Sequence, residues 1–374
     1  MIKPLKTILL LSVILINSIA KANDLPTDKK ATKQTIILYK NLKKTAQKGV
    51  MFGQQDALAY GLNQDGSRWI GEEGRSDVKT VTGDYPAVIG YDLGKLEFDS
   101  TKNLDGVPFN RIRKNIQETY ARGGVNTVSW HFNNPTDPKK TTWDKADSTI
   151  KHLFADKKLL QNYADWLDKV AAFSKSLKGS KGELIPIIFR PFHEHTGSWF
   201  WWGAGHCSPE EYKKMWRFTV EYLRDKKGVH NILYAYSTDH FDSKQHYLER
   251  YPGNDIVDLL GFDMYHRNAP ASNEAFKKDM LRMVSELKEM ATEKKKIYAI
   301  TEMGLEKVTE ADWWTNIVLP VIHNSGLSYA LVWRNGRPDH FYAPYKGQLS
   351  EADFVKFYQL PETLFAKDVQ GLYK

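Results

Sequence analysis

The chain has 374 residues, 41% of them hydrophobic and 26% charged, with a formal charge of +8. This is globular composition, and it excludes a disordered chain, a collagen-like repeat and a polytopic membrane protein. Aromatic residues are abundant, with 11 Trp, 19 Tyr and 17 Phe, whereas the single Cys allows neither an internal disulfide nor a cysteine-based zinc site.

Residues 1–22 read as a secretory signal. Lys3 and Lys6 form a basic n-region, Ile8 to Ile19 an apolar core, and Ala20-Lys21-Ala22 a small-residue cleavage site. About 12 apolar residues fall short of the roughly 20 that span a bilayer, so no membrane anchor is expected in the mature protein. The only cysteine is Cys207, which leaves no thiol for lipid attachment behind the signal. Export across the inner membrane to the periplasm is the expectation. Cleavage also removes Lys3, Lys6 and Lys21, and much of the remaining basic charge lies in helix-like runs such as Glu293-Lys294-Lys295-Lys296, a solvated face. No basic stretch is interleaved with aromatics, and no nucleic-acid partner is expected.

Residues 23–374 contain no Pro/Ser/Gly-rich linker and no repeat, which favours one domain. Short β-branched and aromatic runs predict strands at 50–54, 87–92, 125–131, 184–190, 232–237, 259–265, 297–301 and 329–333. Between them, Ile112, Ile116 and Tyr120 recur at helical spacing before Gly123-Gly124, and Leu159 to Phe173 carries a second apolar stripe. Ser208-Pro209-Glu210-Glu211 opens another helix with an N-cap, a first-turn proline and a capping-box glutamate. Eight strands alternating with helices predict a single-domain α/β fold, a (β/α)8 TIM barrel, with its cleft at the C-terminal ends of the strands. An open Rossmann-like sheet would want a glycine-rich loop after an early strand, and none is present.

The strand ends are polar and aromatic beyond what barrel packing requires: Gln54-Gln55-Asp56, Tyr91-Asp92, Trp130-His131, Arg190 to Glu194, Asp263 to His266, Thr301-Glu302 and Trp333-Arg334-Asn335. Glu194 and Glu302 each follow an apolar strand, on the fourth and seventh strands of the series. Two such carboxylates facing each other suit a retaining glycosidase, in which they stand about 5 to 5.5 Å apart as acid/base and nucleophile. Sugar rings have apolar C–H faces that stack on indole, which suits Trp130, Trp199 and Trp333 at or just after strand ends. Trp166, Trp216 and Trp313 fall on helical stripes and are expected in the core, while Trp201 and Trp202 suit either a platform or a loop anchor.

The segment Arg190-Pro191-Phe192-His193-Glu194-His195-Thr196-Gly197-Ser198-Trp199-Phe200-Trp201-Trp202-Gly203 resembles the signature of glycoside hydrolase family 26, whose characteristic members are β-mannanases. Ser129-Trp130-His131, Phe262-Asp263-Met264-Tyr265, Thr301-Glu302-Met303-Gly304 and Val332-Trp333-Arg334 agree in order and spacing, so that the resemblance runs from about Met51 to about Asn335. It implies hydrolysis of β-1,4-mannosidic linkages in mannan, galactomannan, glucomannan or mannooligosaccharides, with retention and without a cofactor or metal. It makes Glu194 the acid/base and Glu302 the nucleophile. Tyr265 would hydrogen-bond the nucleophile, His193 would orient the reacting region, and Trp199 would stack on the leaving-group side. His131, Trp333 and Arg334 would line the glycone side, with Arg190 supporting the carboxylates. His193 stands where many retaining barrels carry Asn, which agrees with this family and not with cellulase-like barrels.

A periplasmic enzyme of this kind would meet imported oligosaccharides, which tilts the expectation towards mannobiose as the main product of a monomeric enzyme. The family also includes lichenase and xylanase members, so another β-glycan is the alternative substrate. A metal-dependent hydrolase is a second class of reading: strand alternation would place His193 and His195 on one side, with His131 and His266 nearby. A non-catalytic glycan-binding barrel is a third. The loops 136–154 and 241–254 are long enough to shape one end of the cleft.

Overall fold

Eight parallel strands close on themselves, the first pairing with the last. They are β1 (Val50–Gln55), β2 (Val88–Asp92), β3 (Val125–Ser129), β4 (Ile187–Arg190), β5 (Ile232–Thr238), β6 (Leu259–His266), β7 (Ile297–Leu305) and β8 (Tyr329–Val332). The computed structural model describes residues 25–374, and the expected signal at 1–22 lies outside them. The helices read from the sequence are present as α2 (Phe109–Ala121), α3 (Lys157–Ser176) and α4 (Pro209–Glu221), with α1 (Lys33–Thr45) ahead of β1 and α5 (Asn273–Lys294) after β6. Ser208 and Glu211 form the reciprocal capping box at the start of α4. The fold is the expected (β/α)8 barrel.

Strand side chains alternate between two apolar layers. Ile187 and Phe189 pack outward with the helix residues Ile116, Leu167, Val170 and Trp216. Ile188 packs inward with Val88, Val125, Leu233, Ala235, Leu259, Ala299 and Leu331, and Leu38, Tyr39 and Leu42 of α1 join this inner layer. Burial on both faces explains why the strands read as near-continuous apolar runs. Two or four residues further along the same inward faces, the barrel turns polar: Asp92, Ser129, Arg190, Ser237, Asp263 and Thr301 form its top layer.

One irregularity decides what that layer presents. Phe262 pairs with Ile300 but Asp263 pairs with Glu302, so Thr301 is an extra residue bulged into β7. Ile300 and Met303 both remain in the outer layer. The bulge therefore turns Thr301 and Glu302 together towards the barrel axis, whereas strict alternation would aim Glu302 at the helices. Gly261 makes room for this: a Cβ there would meet Thr301 Cγ2 at 2.4 Å. β7 runs on to Leu305, four residues past its expected end, because pairing with β6 resumes beyond the bulge.

Candidate active site

β4 ends at Arg190, and residues 191–194 form a turn in which Phe192 and Glu194 have φ of 52° and 54°. Left-handed backbone at two non-glycine residues costs on the order of 1 kcal/mol or more each and persists only where the surroundings enforce it. Here the Glu194 amide donates to Ser237 O at 3.1 Å, Tyr212 Oη donates to Phe192 O at 2.9 Å, and Trp202 Nε1 donates to His193 O at 2.9 Å. Trp201 and Trp202 are fully buried. They are loop anchors, and Trp202 holds the turn that carries Glu194.

Arg190 rises from β4 between the carboxylates of β6 and β7. Its Nη1 donates to Asp263 Oδ2 at 2.6 Å and its Nη2 to Glu302 Oε2 at 2.7 Å. Ser237 and Thr301 hydroxyls reach Asp263 Oδ1 at 3.0 and 2.7 Å. The second oxygen of Glu302 accepts from the Tyr265 hydroxyl. Both oxygens of Glu302 are thus bound by donors, one cationic and one phenolic, which is the environment of an anion.

Glu194 is treated in the opposite way. It is buried, and its carboxyl accepts one hydrogen bond from Trp199 Nε1, at 2.6 Å. Desolvation, followed by the charges of Glu302, Asp263 and Asp239, pushes its pKa well above the ordinary value. One carboxyl of the pair is held as an acid while its neighbour is hydrogen-bonded as a base.

Two histidines extend the network. Burial opposes the charged form of His131, but Asp92, whose Oδ2 lies 2.6 Å from His131 Nδ1, outweighs it and raises the imidazole pKa. His193 is driven well below its ordinary value by burial and by the nearby Arg190 and His131. Their Nε2 atoms lie 3.1 Å apart, so one must accept, and these shifts make His131 the donor.

The residues converge on one open cleft of ≈ 700 Å³ at the C-terminal ends of the strands, lined by His131, His193, Glu194, Trp199, Tyr265, Glu302, Trp333 and Arg334 among others. Of the nine residues singled out from sequence, Arg190 alone lies beneath the lining. Arg334 is paired with Asp105 and lies over Trp333 at 5.8 Å. Trp130 does not join the wall. It is buried, donates Nε1–H to Glu97 at 3.0 Å and stacks on Phe132, because it follows the inward-facing Ser129 and so points out of the barrel.

Other lining residues escaped the sequence reading. Trp143, 52% exposed, stacks on His131 with ring centroids 5.5 Å apart, so the loop 136–154 does reach the cleft. Its signal was a lone indole in a polar loop. Asp239, Arg267, His340 and Tyr342 also line the cleft, from positions with no periodic pattern. The loop 241–254 instead folds onto the barrel wall, with Phe241 and Tyr247 buried.

The histidine set expected for a metal does not assemble. The segment carrying His193 and His195 is a turn, so strand alternation fails: His195 lies fully buried between the Tyr212 and Tyr236 rings, at 4.3 and 4.8 Å. His266 is stacked on Phe276 and takes the indole hydrogen of Trp313 at Nδ1. His193, Asp263 and Glu302 do bring ligand atoms within 4.8 Å of one another, but Arg190 already bridges the two carboxylates.

A closed barrel with an acid and a hydrogen-bonded carboxylate at its mouth, flanked by indoles, has the construction of a glycoside hydrolase. Residues 27–316 match the glycosyl hydrolase family 26 model, and the chain belongs to that family. A β-mannanase of family 26 from Bacteroides ovatus is 46% identical, with a TM-score of 0.87 over 92% of this chain and 98% of that one. A modular endo-β-1,4-mannanase from Cellulomonas fimi is 33% identical, with a TM-score of 0.83 over 94% of this chain and 79% of that one. A mannan endo-1,4-β-mannosidase of Bifidobacterium adolescentis is 34% identical over 363 residues, covering 91% of this chain but 35% of the relative. The present chain thus spans about a third of that curated relative's length.

The raised pKa of Glu194 fixes a stability test. Above the ordinary glutamate value of 4.5 the unfolded chain ionises while the folded chain stays protonated, so stability falls with rising pH until the folded pKa is passed. Glu194→Gln removes that loss. Thermal melts should place E194Q about 2 °C or more above wild type at neutral pH, the two converging in acid; a variant melting below wild type at neutral pH contradicts the assignment.

Proposed function

We propose that this chain is a retaining β-1,4-mannanase that cleaves mannan, glucomannan, galactomannan or their oligosaccharides. One observation carries the reading: Glu194 and Glu302 share a cleft in which burial keeps one protonated and Arg190 with Tyr265 binds the other as an anion. The family membership and the names of the mannanase relatives support the substrate class.

In the first step Glu302 attacks the anomeric carbon while Glu194 passes its proton to the glycosidic oxygen, and the leaving sugar departs from a covalent glycosyl-enzyme. Ionised Glu194 then takes a proton from water, whose oxygen attacks the anomeric carbon and frees Glu302. Each inversion cancels the other, giving retention. Arg190 and Tyr265 orient the nucleophile. His131, its pKa raised by Asp92, and neutral His193 form the floor beside the reacting ring, with Trp333 and Arg334 on the glycone side. Trp199, 38% exposed, offers its face to the leaving sugar while its N–H fixes Glu194.

We also read the protein as a monomer exported by residues 1–22 to the periplasm, where oligosaccharides would be the available substrate and mannobiose the main product. Among the described residues no helix is long and apolar enough to cross a membrane. The mass of the mature protein should correspond to a chain beginning after Ala22, and an uncleaved N-terminus in the exported fraction would refute this.

Wild type should release reducing ends from galactomannan, and Glu194→Gln and Glu302→Gln should each lower kcat on the order of 10³-fold. Retention of activity in E302Q would sink the mechanism. A ladder of product sizes at early times would remove the mannobiose assignment, and faster cleavage of lichenan or xylan would move the substrate class.

A further inference from the structure

The charged groups around the cleft fall into two kinds. His131 is paired with Asp92, Arg190 with Asp263 and Glu302, Arg334 with Asp105, and His340 with Glu306. Asp239 and Arg267 line the same cleft without a salt bridge of this kind; the Asp239 carboxylate meets the His240 amide and is attracted by Arg267. The Arg267 guanidinium lies over the Tyr265 ring at 5.5 Å. Asp239 is partly buried, its carboxylate facing the His240 amide and the attraction of His240 and Arg267, while Arg267 is exposed, so both keep hydrogen-bonding capacity that a ligand in the cleft can take up.

Their place in the barrel says which ligand part that is. Asp239 follows β5 and Arg267 follows β6, neighbouring strands between the Glu194 turn after β4 and Glu302 on β7. Trp333 and Arg334 follow β8, and His131 follows β3, so these leave the β5–β6 wall to the other part of the substrate. The wall is fixed to the acid: Thr196 Oγ1 accepts from the Asp239 amide at 3.0 Å, and Ser237 O accepts from the Glu194 amide at 3.1 Å. Glu194 gives its proton to the leaving oxygen, so the group departing beside it lies against this wall.

We propose that Asp239 and Arg267 form a polar subsite that binds the hydroxyl groups of the hexopyranose on the leaving-group side of the scissile bond. The inference rests on the glycosidase reading above and names its leaving-group subsite. Asp239 is acceptor-only when ionised and Arg267 donor-only, and neighbouring sugar hydroxyls both donate and accept, so the pair can engage a diol that neither could satisfy alone. Burial, assisted by Glu302 and opposed by the His240 amide and ring and by Arg267, pushes the Asp239 pKa up to about 6, which leaves it an ionised acceptor at neutral pH.

The test compares Asp239→Asn, Arg267→Ala and Arg267→Lys with wild type on two substrates: the β-1,4-linked tetrasaccharide that wild type cleaves fastest among mannan-, glucan- and xylan-derived ones, and the dinitrophenyl glycoside of the matching disaccharide, whose leaving group carries no sugar. Compared on the acid side of each variant's basic limb, where Glu194 is protonated, the ratio of their kcat/KM values should fall about tenfold or more in D239N and R267A, with R267K intermediate; the basic limb of D239N should move to lower pH, because the variant lacks one of the charges that raise Glu194. An unchanged ratio overturns the proposal. So does a fall in D239N that vanishes on the acid side of the basic limb, which would make Asp239 a modulator of Glu194 and not a sugar ligand. A wild-type preference for the glucan or xylan tetrasaccharide would count against the mannan reading alone and leave the subsite test intact.

Discussion

One guanidinium serves two buried carboxylates, and the remainder of the site follows from that shortage of positive charge. Arg190, Asp263 and Glu302 come from three different strands and are all nearly inaccessible to water. Removing one partner of such a set typically costs about 3–5 kcal/mol, because it leaves an uncompensated charge in the interior. The cation cannot neutralise both acids. Burial and the charge of Glu302, opposed by Arg190, push Asp263 up to about 7, so that the residue behind the nucleophile is itself close to sharing a proton.

The excess negative charge is felt at Glu194, which has no cation of its own and stays protonated. The same Arg190 helps keep His193 neutral, while Asp92 raises the pKa of the adjacent His131. A buried acid, a carboxylate bound by two donors and two imidazoles shifted in opposite directions thus stand side by side, set by burial and by charged neighbours on the same and on other strands. The left-handed backbone at Phe192 and Glu194 is the conformational cost of bringing the acid into this field. The buried Trp202 and the hydrogen bonds to Ser237 and Phe192 hold it there.

The barrel was legible because parallel strands buried on both faces leave apolar runs in the chain, and the starts and ends of the runs differ from the strands by a few residues. β4 begins at Ile187 where the apolar run begins at Leu184, since Pro186 has no N–H to give to the ladder. Glu194 and Glu302 were legible as carboxylates after apolar strands, yet what aims Glu302 inward is the Thr301 bulge, which composition does not disclose. Trp130 was misplaced because nearness to a strand end says nothing about which face a residue occupies. Trp143, Asp239 and Arg267 lie in loops and strand termini, where no periodicity ties a residue to its neighbours in space. The aromatic excess divides accordingly: Trp143, Trp199 and Trp333 line the cleft, whereas Trp130, Trp166, Trp201, Trp202, Trp216 and Trp313 are packed in the interior.

The central claim is that burial and neighbouring charge hold Glu194 protonated beside a Glu302 whose two oxygens are taken by Arg190 and Tyr265. A carbon-13 NMR titration of the glutamate side-chain carboxyls, with the Glu194 resonance assigned by its loss in E194Q, measures this directly. The account predicts that this resonance keeps its protonated chemical shift as pH is raised beyond the ordinary glutamate value of 4.5. A Glu194 carboxyl that ionises at the ordinary value, in step with exposed glutamates, would contradict it.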